Sequence, residues 1–188
     1  VVTADTITTS GVAGAVVIGD LTNSVGTTTF IGGVGATTIS AGAGGANTNV
    51  TTGIGNDLIT TGGGDDIIIT GNGTSTIVSA GGADSISTGN GIDEITAGGG
   101  NDTIITGAGA DTVTIAGGDG IDTITFSAGG DIDTIVTAGI TSTDYFNVTG
   151  FAVAEDLIDF NGALISDDGI GTVIQGLEGA AMADIASI

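Results

Sequence analysis

Aspartate recurs at one fixed position of a nine-residue repeat through the middle of the chain. The repeat reads Gly-x-Gly-x-Asp-x-(Ile/Val/Leu), as at Gly98–Ile104 and, nine residues later, at Gly107–Val113. A carboxylate offers hard oxygen atoms, which bind divalent cations or, in pairs, carry out acid–base catalysis. Ser75 stands at one position where the repeat expects the acid. The aspartates at this position are Asp57, Asp66, Asp84, Asp93, Asp102, Asp111, Asp122 and Asp133.

The chain has no side chain that can pair with these carboxylates. Among its 188 residues are 22 acidic residues and no Lys, Arg or His. The missing partner is therefore a cation, unless the carboxylates are simply solvated. Nucleic acid and anionic membranes are excluded as partners, because binding to either needs Lys or Arg. We also expect no membrane insertion, since no apolar run approaches the length of a transmembrane helix.

We expect no catalytic activity from this sequence. The chain lacks His, Cys and Lys, so nucleophile systems built on these residues are impossible. Neighbouring acids such as Asp65 and Asp66, or Asp156 and Asp159, could formally serve a glycosidase. No aromatic platform for a sugar accompanies them. The Gly-x-Gly strings do not predict a dinucleotide loop either, because no Lys and no strand–helix context go with them.

The repeat length constrains the elements that position the aspartates. A fixed short period is the signature of a solenoid. A six-residue turn followed by a three-residue strand fits nine residues, because glycine permits positive φ in the turn. We predict an all-β fold: a right-handed parallel β-roll, or β-solenoid, in which two repeats form one coil and a cap closes the C-terminal end. The absence of proline suits this fold, because every strand residue can donate its backbone N–H.

The apolar position of the repeat marks the inward side of each predicted strand. Its steps are nine residues long from Val50 to Val113 and eleven long from Ile39 to Val50, Val113 to Ile124 and Ile124 to Ile135. We predict that the longer steps are bulges or widened turns that leave the repeat unbroken. The apolar positions are Phe30, Ile39, Val50, Ile59, Ile68, Ile77, Ile86, Ile95, Ile104, Val113, Ile124 and Ile135.

Stacking of the coils places the acidic positions in two columns, since repeats i and i+2 lie about 4.8 Å apart, as parallel strands do. The first column contains Asp66, Asp84, Asp102 and Asp122, and the second contains Asp57, Ser75, Asp93, Asp111 and Asp133. Two carboxylates about 5 Å apart repel by roughly 3 kcal/mol at an effective dielectric constant near 20. A hard divalent cation between adjacent turns removes this repulsion. We predict calcium, because it accepts many oxygen ligands in flexible geometry, whereas transition metals prefer the absent His and Cys.

The composition changes along the chain and predicts three regions. Residues 1–50 form a calcium-poor β-solenoid region, residues 51–139 form the calcium-binding β-roll, and residues 140–188 form a capping segment that holds most of the aromatic residues. A short helix is predicted at 177–185. In the first region the acidic position is occupied by threonine, at Thr28, Thr37 and Thr48.

The repeats resemble the calcium-binding nonapeptide repeats of bacterial RTX proteins, whose consensus is Gly-Gly-x-Gly-x-Asp-x-(apolar)-x. The resemblance implies that calcium lies between successive turns on each edge of the roll. The aspartates of two stacked repeats and carbonyl oxygens of the glycine turns are the implied ligands. The implied aspartate pairs are Asp66/Asp84, Asp84/Asp102, Asp102/Asp122, Asp93/Asp111 and Asp111/Asp133. The implied carbonyl ligands belong to Gly62, Gly64, Gly89, Gly91, Gly98, Gly100, Gly107, Gly109, Gly118 and Gly120.

Three positions in the repeats depart from the RTX pattern. Ser75 replaces an aspartate, so sites that it would share with Asp57 or Asp93 are expected to be weak or absent. Ala80 and Asp131 replace expected glycines, so the RTX turn geometry is not carried over to these two positions.

The segment that follows the repeats also carries an implied ligand. Residues 151–164 resemble the capping strand that often follows RTX repeats, and Asp156 within it is implied as a ligand of a terminal calcium ion. Acids outside the repeat phase, such as Asp65 and Asp119, are expected to be solvated or accessory.

The resemblance implies secretion to the cell surface or exterior of a Gram-negative bacterium. Scarce aromatic residues, abundant Thr, Ala and Gly, and the absence of Lys are similar to the self-assembling surface-layer proteins of such bacteria. We expect a calcium-dependent structural protein that binds copies of itself, through outward apolar residues such as Ile67, Ile69 and Ile105. The alternatives are the C-terminal secretion and folding module of a type I-secreted hydrolase, or a segment of a large RTX adhesin. Since the chain begins at Val1 without a signal peptide, we expect it to be part of a longer protein.

Overall fold

The computed structural model describes residues 6–9, 11–18, 26–42, 44–118, 120–127, 130–139, 145–152 and 156–159. Their regular structure consists of short β-strands, and no helix among them is long and apolar enough to cross a membrane. The strands are β1 Thr6–Thr8, β2 Val16–Ile18, β3 Thr28–Ile31, β4 Thr37–Ser40, β5 Thr48–Thr51, β6 Leu58–Thr60, β7 Ile67–Ile69, β8 Thr76–Val78, β9 Ser85–Ser87, β10 Glu94–Ala97, β11 Thr103–Ile105, β12 Thr112–Ala116, β13 Ile121–Thr125, β14 Thr134–Ala138, β15 Tyr145–Thr149 and β16 Leu157–Asp159.

The strands form two parallel sheets that alternate along the chain. The odd-numbered strands follow one another in the first sheet and the even-numbered strands in the second. Within the repeats each strand pairs with the strand two repeats away: Ile68 lies opposite Val50 on one side and Ile86 on the other. This arrangement confirms the predicted all-β parallel solenoid with two repeats in each coil.

The core is a single stack of inward side chains between the two sheets. Each of the predicted apolar positions from Phe30 to Ile135 is at most 1% exposed. Alternation along a strand explains this, because the central residue of a three-residue strand points inward when its neighbours point outward. Burial of one such isoleucine contributes roughly 1.5–3 kcal/mol, so the coils are held together by many equal increments.

The eleven-residue step from Val113 to Ile124 lengthens strand β12, so the prediction of a bulge or a widened turn was wrong for this step. Strand β12 has five residues, and all five pair in register with β14. The added residue Ile115 is 1% exposed and joins the core. After β13, Phe126 is also buried, and its N–H donates to the carbonyl of Thr149. Two extra residues preserve the inward–outward alternation, which is why they fit a longer strand without a bulge.

The core continues beyond the last acidic turn into the segment predicted as a cap. Phe146, Val148, Phe151 and Ile158 are partly buried and pack against the core. The ring centroids of Phe126 and Phe151 lie 6.4 Å apart. The apolar end of the stack is therefore covered in part by aromatic side chains. The helix predicted at 177–185 lies outside the described residues.

Candidate metal centre

Five of the turns that lead to the acidic position contain a glycine with positive φ. At the fourth residue of successive turns φ lies between +116° and +157°. A Cβ atom at these glycines would also collide with the backbone of the turn one coil earlier, chiefly with a carbonyl group. Glycine is therefore needed at these positions for two reasons: its positive φ and the close approach of the coils. These glycines are Gly73, Gly82, Gly91, Gly100 and Gly109.

The aspartates at the end of these turns are buried and hydrogen-bonded from coil to coil. The Oδ1 atom of each accepts the backbone N–H of the corresponding residue in the preceding coil. In the first column the N–H groups of Asp66, Asp84 and Asp102 donate to Asp84, Asp102 and Asp122, each at 2.9 Å. In the second column the corresponding bonds join Asp93 to Asp111 and Asp111 to Asp133, also at 2.9 Å. The structure thus stacks the five aspartate pairs that the RTX resemblance implies.

The second oxygen of most of these carboxylates has no donor. It is buried and lacks a hydrogen-bond partner among the described residues, which is costly for a charged group. These atoms are the Oδ2 atoms of Asp57, Asp66, Asp84, Asp93, Asp102 and Asp111. Buried, unpaired carboxylate oxygens fit a hard cation such as calcium. No three acidic side chains of the described residues converge on one point, so each candidate site joins two carboxylates with backbone oxygens.

Burial is the first cause of the raised pKa values in both columns. It raises the pKa of Asp66 to about 6, of Asp102 to about 7 and of Asp111 to about 6. Neighbouring carboxylates raise these pKa values further, whereas hydrogen bonds from backbone N–H groups lower them. The pKa is also raised, again chiefly by burial, in Asp84, Asp93 and Asp133. Ionising these groups in the folded chain is therefore unfavourable unless a cation is bound.

The second column is interrupted at Ser75, as the sequence indicates. Ser75 is fully buried, its N–H donates to Oδ1 of Asp93 at 2.7 Å, and its hydroxyl has no partner among the described residues. The stacking is therefore preserved, while the charge is lost. Serine supplies a neutral oxygen where its neighbours supply a carboxylate.

Threonines occupy the same buried register in the preceding coils. Thr28, Thr37 and Thr48 are at most 4% exposed. The N–H groups of Thr37 and Thr48 donate to Oδ1 of Asp57 and Asp66, both at 2.7 Å. Each column thus begins in a coil that supplies donors but no charge.

Asp156 continues the second column and differs from its other members. Its Oδ1 accepts the N–H of Asp133 at 2.9 Å, and its Oδ2 accepts the N–H of Ala152 at 2.5 Å. Both carboxylate oxygens therefore have donors. Among the acids outside the repeat phase, Asp65 is exposed and accepts the N–H of Ala83, whereas Asp119 lies outside the described residues.

The carbonyl groups implied as ligands lie in the turns beside the columns. The carbonyls of Gly62 and Gly120 accept backbone N–H groups at 3.3 Å and 3.0 Å, and that of Gly107 accepts the hydroxyl of Ser127 at 2.5 Å. A carbonyl oxygen has two lone pairs, so such a bond leaves one available to a cation. The other implied carbonyls occupy the second or fourth residue of equivalent turns, at Gly64, Gly89, Gly91, Gly98, Gly100, Gly109 and Gly118.

A second set of buried oxygens was missed by the sequence reasoning. A hydroxyl residue opens most of the turns, five residues before the acid. The hydroxyls of Thr61, Ser79, Thr88 and Thr106 lie beside the carboxylates of their own turns and lower the pKa of those carboxylates. The signal was present as the recurring hydroxyl residue that begins the repeat, in most cases as Thr-Gly. This set of buried turn-opening residues comprises Thr52, Thr61, Thr70, Ser79, Thr88 and Thr106.

Comparison with known protein families agrees with this geometry. A family model described as the RTX calcium-binding nonapeptide repeat, in four copies, matches residues 43–77 and 79–113. The chain therefore carries RTX-type repeats in the part that holds the column aspartates from Asp57 to Asp111, and calcium is the ion that such repeats bind. Searches of curated proteins and of solved structures gave no match.

Proposed function

We propose that this protein is a calcium-dependent structural protein that folds and self-assembles outside the cell, as a surface layer or an extracellular fibre. The observation that carries the proposal is the pair of buried carboxylate columns in a chain with no Lys, Arg or His. No side chain of the protein can compensate this charge. The fold therefore depends on a cation from the surroundings.

Calcium, when bound, supplies the positive charge that lets adjacent turns carry ionised carboxylates at close range. The residues that would hold it are the stacked aspartates, through oxygens such as Oδ2 of Asp84 and Asp102, together with turn carbonyls. Meanwhile Oδ1 stays bonded to the preceding coil. Binding energy then becomes folding energy, because the unfolded chain does not hold the ligands together.

This dependence suits a protein that is exported before it folds. Cytosolic calcium is scarce, whereas extracellular calcium-binding modules have dissociation constants of roughly 0.1–1 mM. The chain would remain unfolded inside the cell and fold once outside. The proposal includes secretion by a Gram-negative bacterium, which is typical of proteins with RTX repeats.

Far-UV circular dichroism with and without calcium tests the folding step. In excess chelator at neutral pH and low salt, we expect an unfolded spectrum, and roughly millimolar calcium is expected to produce β structure. Magnesium at the same concentration is the control and is expected to be much less effective. A cooperative β fold in chelator would contradict the calcium dependence.

The outer face of the odd-numbered sheet supports self-assembly. Its outward residues from β3 to β15 include no charged side chain, in a chain of formal net charge −22. As predicted, Ile67, Ile69 and Ile105 are exposed there, at 45–46%. In register, isoleucine alternates with a small hydroxyl residue: Ile31, Thr51, Ile69, Ser87, Ile105 and Thr125. A second copy can approach this face without bringing carboxylates together, which favours lateral packing of like chains.

Electron microscopy of the purified protein tests the assembly step. Ordered sheets or fibres are expected with calcium and are expected to dissolve on chelation. Replacing Ile69 and Ile105 together by threonine keeps β-branched residues on the face and is expected to abolish assembly but not calcium-induced folding. Leu58→Thr, which alters an exposed residue of the other sheet, is the matched control.

Monodisperse particles under both calcium conditions would contradict self-assembly. That result would favour the alternative role as a secretion and folding module of an exported hydrolase or a segment of an adhesin. We propose no catalytic role for the described residues, since the acids of the two columns have a structural explanation.

A further inference from the structure

The turn-opening hydroxyls form their own columns beside the carboxylates. The hydroxyl-bearing residues at positions 52, 70, 79, 88 and 106 are at most 7% exposed. The hydroxyl oxygens of Thr52, Thr70, Ser79, Thr88 and Thr106 have no hydrogen-bond partner of good geometry among the described residues. Burying an unpartnered hydroxyl is unfavourable, so its repeated use needs a compensating role.

Carboxylates of the same turns also carry unpartnered buried oxygens. The Thr106 hydroxyl interacts with Asp111, whose Oδ2 atom is itself buried and without a donor. Ser79 and Asp84 form the same combination. Thr61 differs, because its hydroxyl donates to the carbonyl of Ser79 at 3.3 Å. In the turns that open at Ser79, Thr88 and Thr106, a hydroxyl therefore lies beside a carboxylate oxygen, and neither atom has another partner among the described residues.

We infer that the turn-opening hydroxyls are positioning residues of the calcium sites, donating to the carboxylate of their own turn and so fixing its Oδ2 atom toward the ion. This inference rests on the proposed calcium binding. Hydrogen bonds to charged groups are about twice as strong as those between neutral groups. The hydroxyl thus holds the carboxylate in place without adding a competing charge.

The chain contains a natural comparison for this role. Ala97 stands where the turn of Asp102 would have a hydroxyl, and it packs beside Ile115 of the longer strand β12. The sites in the two columns are therefore unequal. Calcium is released most slowly from turns with both a hydroxyl and an aspartate. It is released faster from the turn of Ala97 and Asp102, and fastest from the turn of Ser75.

Calcium release from the fully folded protein tests the inference. The protein is saturated with calcium and mixed rapidly with an excess of a fluorescent chelator, so that each class of ion gives its own release phase. Thr106→Val keeps the volume and branching but removes the hydroxyl. It is expected to accelerate release of the ions beside Asp111 by roughly tenfold, the factor for loss of one charge-assisted hydrogen bond. Thr106→Ser keeps a hydroxyl at this position and is expected to release calcium at the rate of the unaltered protein.

Two further variants separate a positioning role from general destabilisation. Thr96→Val removes an outward hydroxyl on β10 and is expected to leave every release phase unchanged. Ala97→Ser introduces the hydroxyl beside Asp102 and is expected to slow one phase. Acceleration of all phases together by Thr106→Val, or no change at all, would overturn the inference while leaving calcium binding intact. Absence of calcium binding in the unaltered protein would instead overturn the proposed function.

Discussion

Most aspartates of the two columns use their two carboxylate oxygens differently. Oδ1 is part of the scaffold, because it accepts an N–H from the preceding coil at 2.7–2.9 Å. Oδ2 is buried without a donor in most of the turns. The nine-residue spacing predicted which aspartates stack and that Ser75 interrupts them. The different roles of Oδ1 and Oδ2 could not be predicted from the sequence, since they depend on how closely the coils approach each other.

Asp102→Asn separates these two roles at a single residue. The amide oxygen can still accept the N–H of Asp84, but the negative charge shared by two implied sites is lost. We expect fewer bound ions and at least roughly tenfold more calcium for half-maximal folding, since even outer-shell partners of metal sites contribute that much. Equilibrium dialysis and circular dichroism measure the two effects.

The control for Asp102→Asn lies on the exposed side of the turns. Asp65→Asn removes the same charge from a residue outside the columns and preserves an acceptor for the N–H of Ala83. It is expected to leave the number of bound ions unchanged. Equal effects of the two substitutions would show that total charge, rather than position in a column, controls calcium binding.

At the scale of elements, the turn that opens at Ser79 has an unusual backbone conformation at its second residue. Ala80 has φ of +65°, and it is the one non-glycine residue with positive φ among those described. The sequence predicted a departure from the RTX turn geometry at Ala80, because glycine is expected there.

The extension of strand β12 was harder to predict, because a longer step does not reveal whether the added residues enter a turn or a strand. The buried side chain of Ile115 shows that the added residues of the first C-terminal step enter strand β12, whereas Phe126 is buried just after the end of β13.

Replacement of Ala80 by glycine is expected to stabilise the folded protein. Relief of the left-handed conformation contributes about 1–2 kcal/mol, and the greater freedom of glycine in the unfolded chain opposes it by about 0.4–1 kcal/mol. The net gain is therefore about 0–1.6 kcal/mol, measurable by urea denaturation in saturating calcium. Ala83→Gly in the same turn relieves no such strain and is expected to destabilise. A loss of stability in Ala80→Gly equal to that in Ala83→Gly would contradict this account.

At the scale of the whole molecule, the buried acids couple folding to pH as well as to calcium. The folded pKa values of Asp66, Asp102 and Asp111 are raised from 3.8 to about 6 or 7, chiefly by burial. For an acid with a raised folded pKa, the folded state binds more protons than the unfolded state between the two values. Stability without calcium is therefore greatest below about pH 4 and is lost as the pH rises to about 7.

Acidification is thus expected to replace calcium in part. In chelator, a change from pH 7.5 to pH 4.5 is expected to increase the β signal in circular dichroism. In saturating calcium the direction reverses, because protons compete with calcium for the carboxylates. A calcium-free protein whose β content falls on acidification would show that the buried carboxylates do not limit folding.

The hydrogen bonds that join one coil to the next give the stack a direction and a length. At one end, Thr37 and Thr48 supply donors to Asp57 and Asp66 but add no charge. At the other end, Asp156 has donors on both oxygens. Between these ends the structure repeats in units of eighteen residues, because most of the coil-to-coil hydrogen bonds join residues that far apart. Inserting or deleting one eighteen-residue unit would change the length of the stack and the number of bound ions by a fixed increment. Evolution can therefore change the length of this protein without changing its fold.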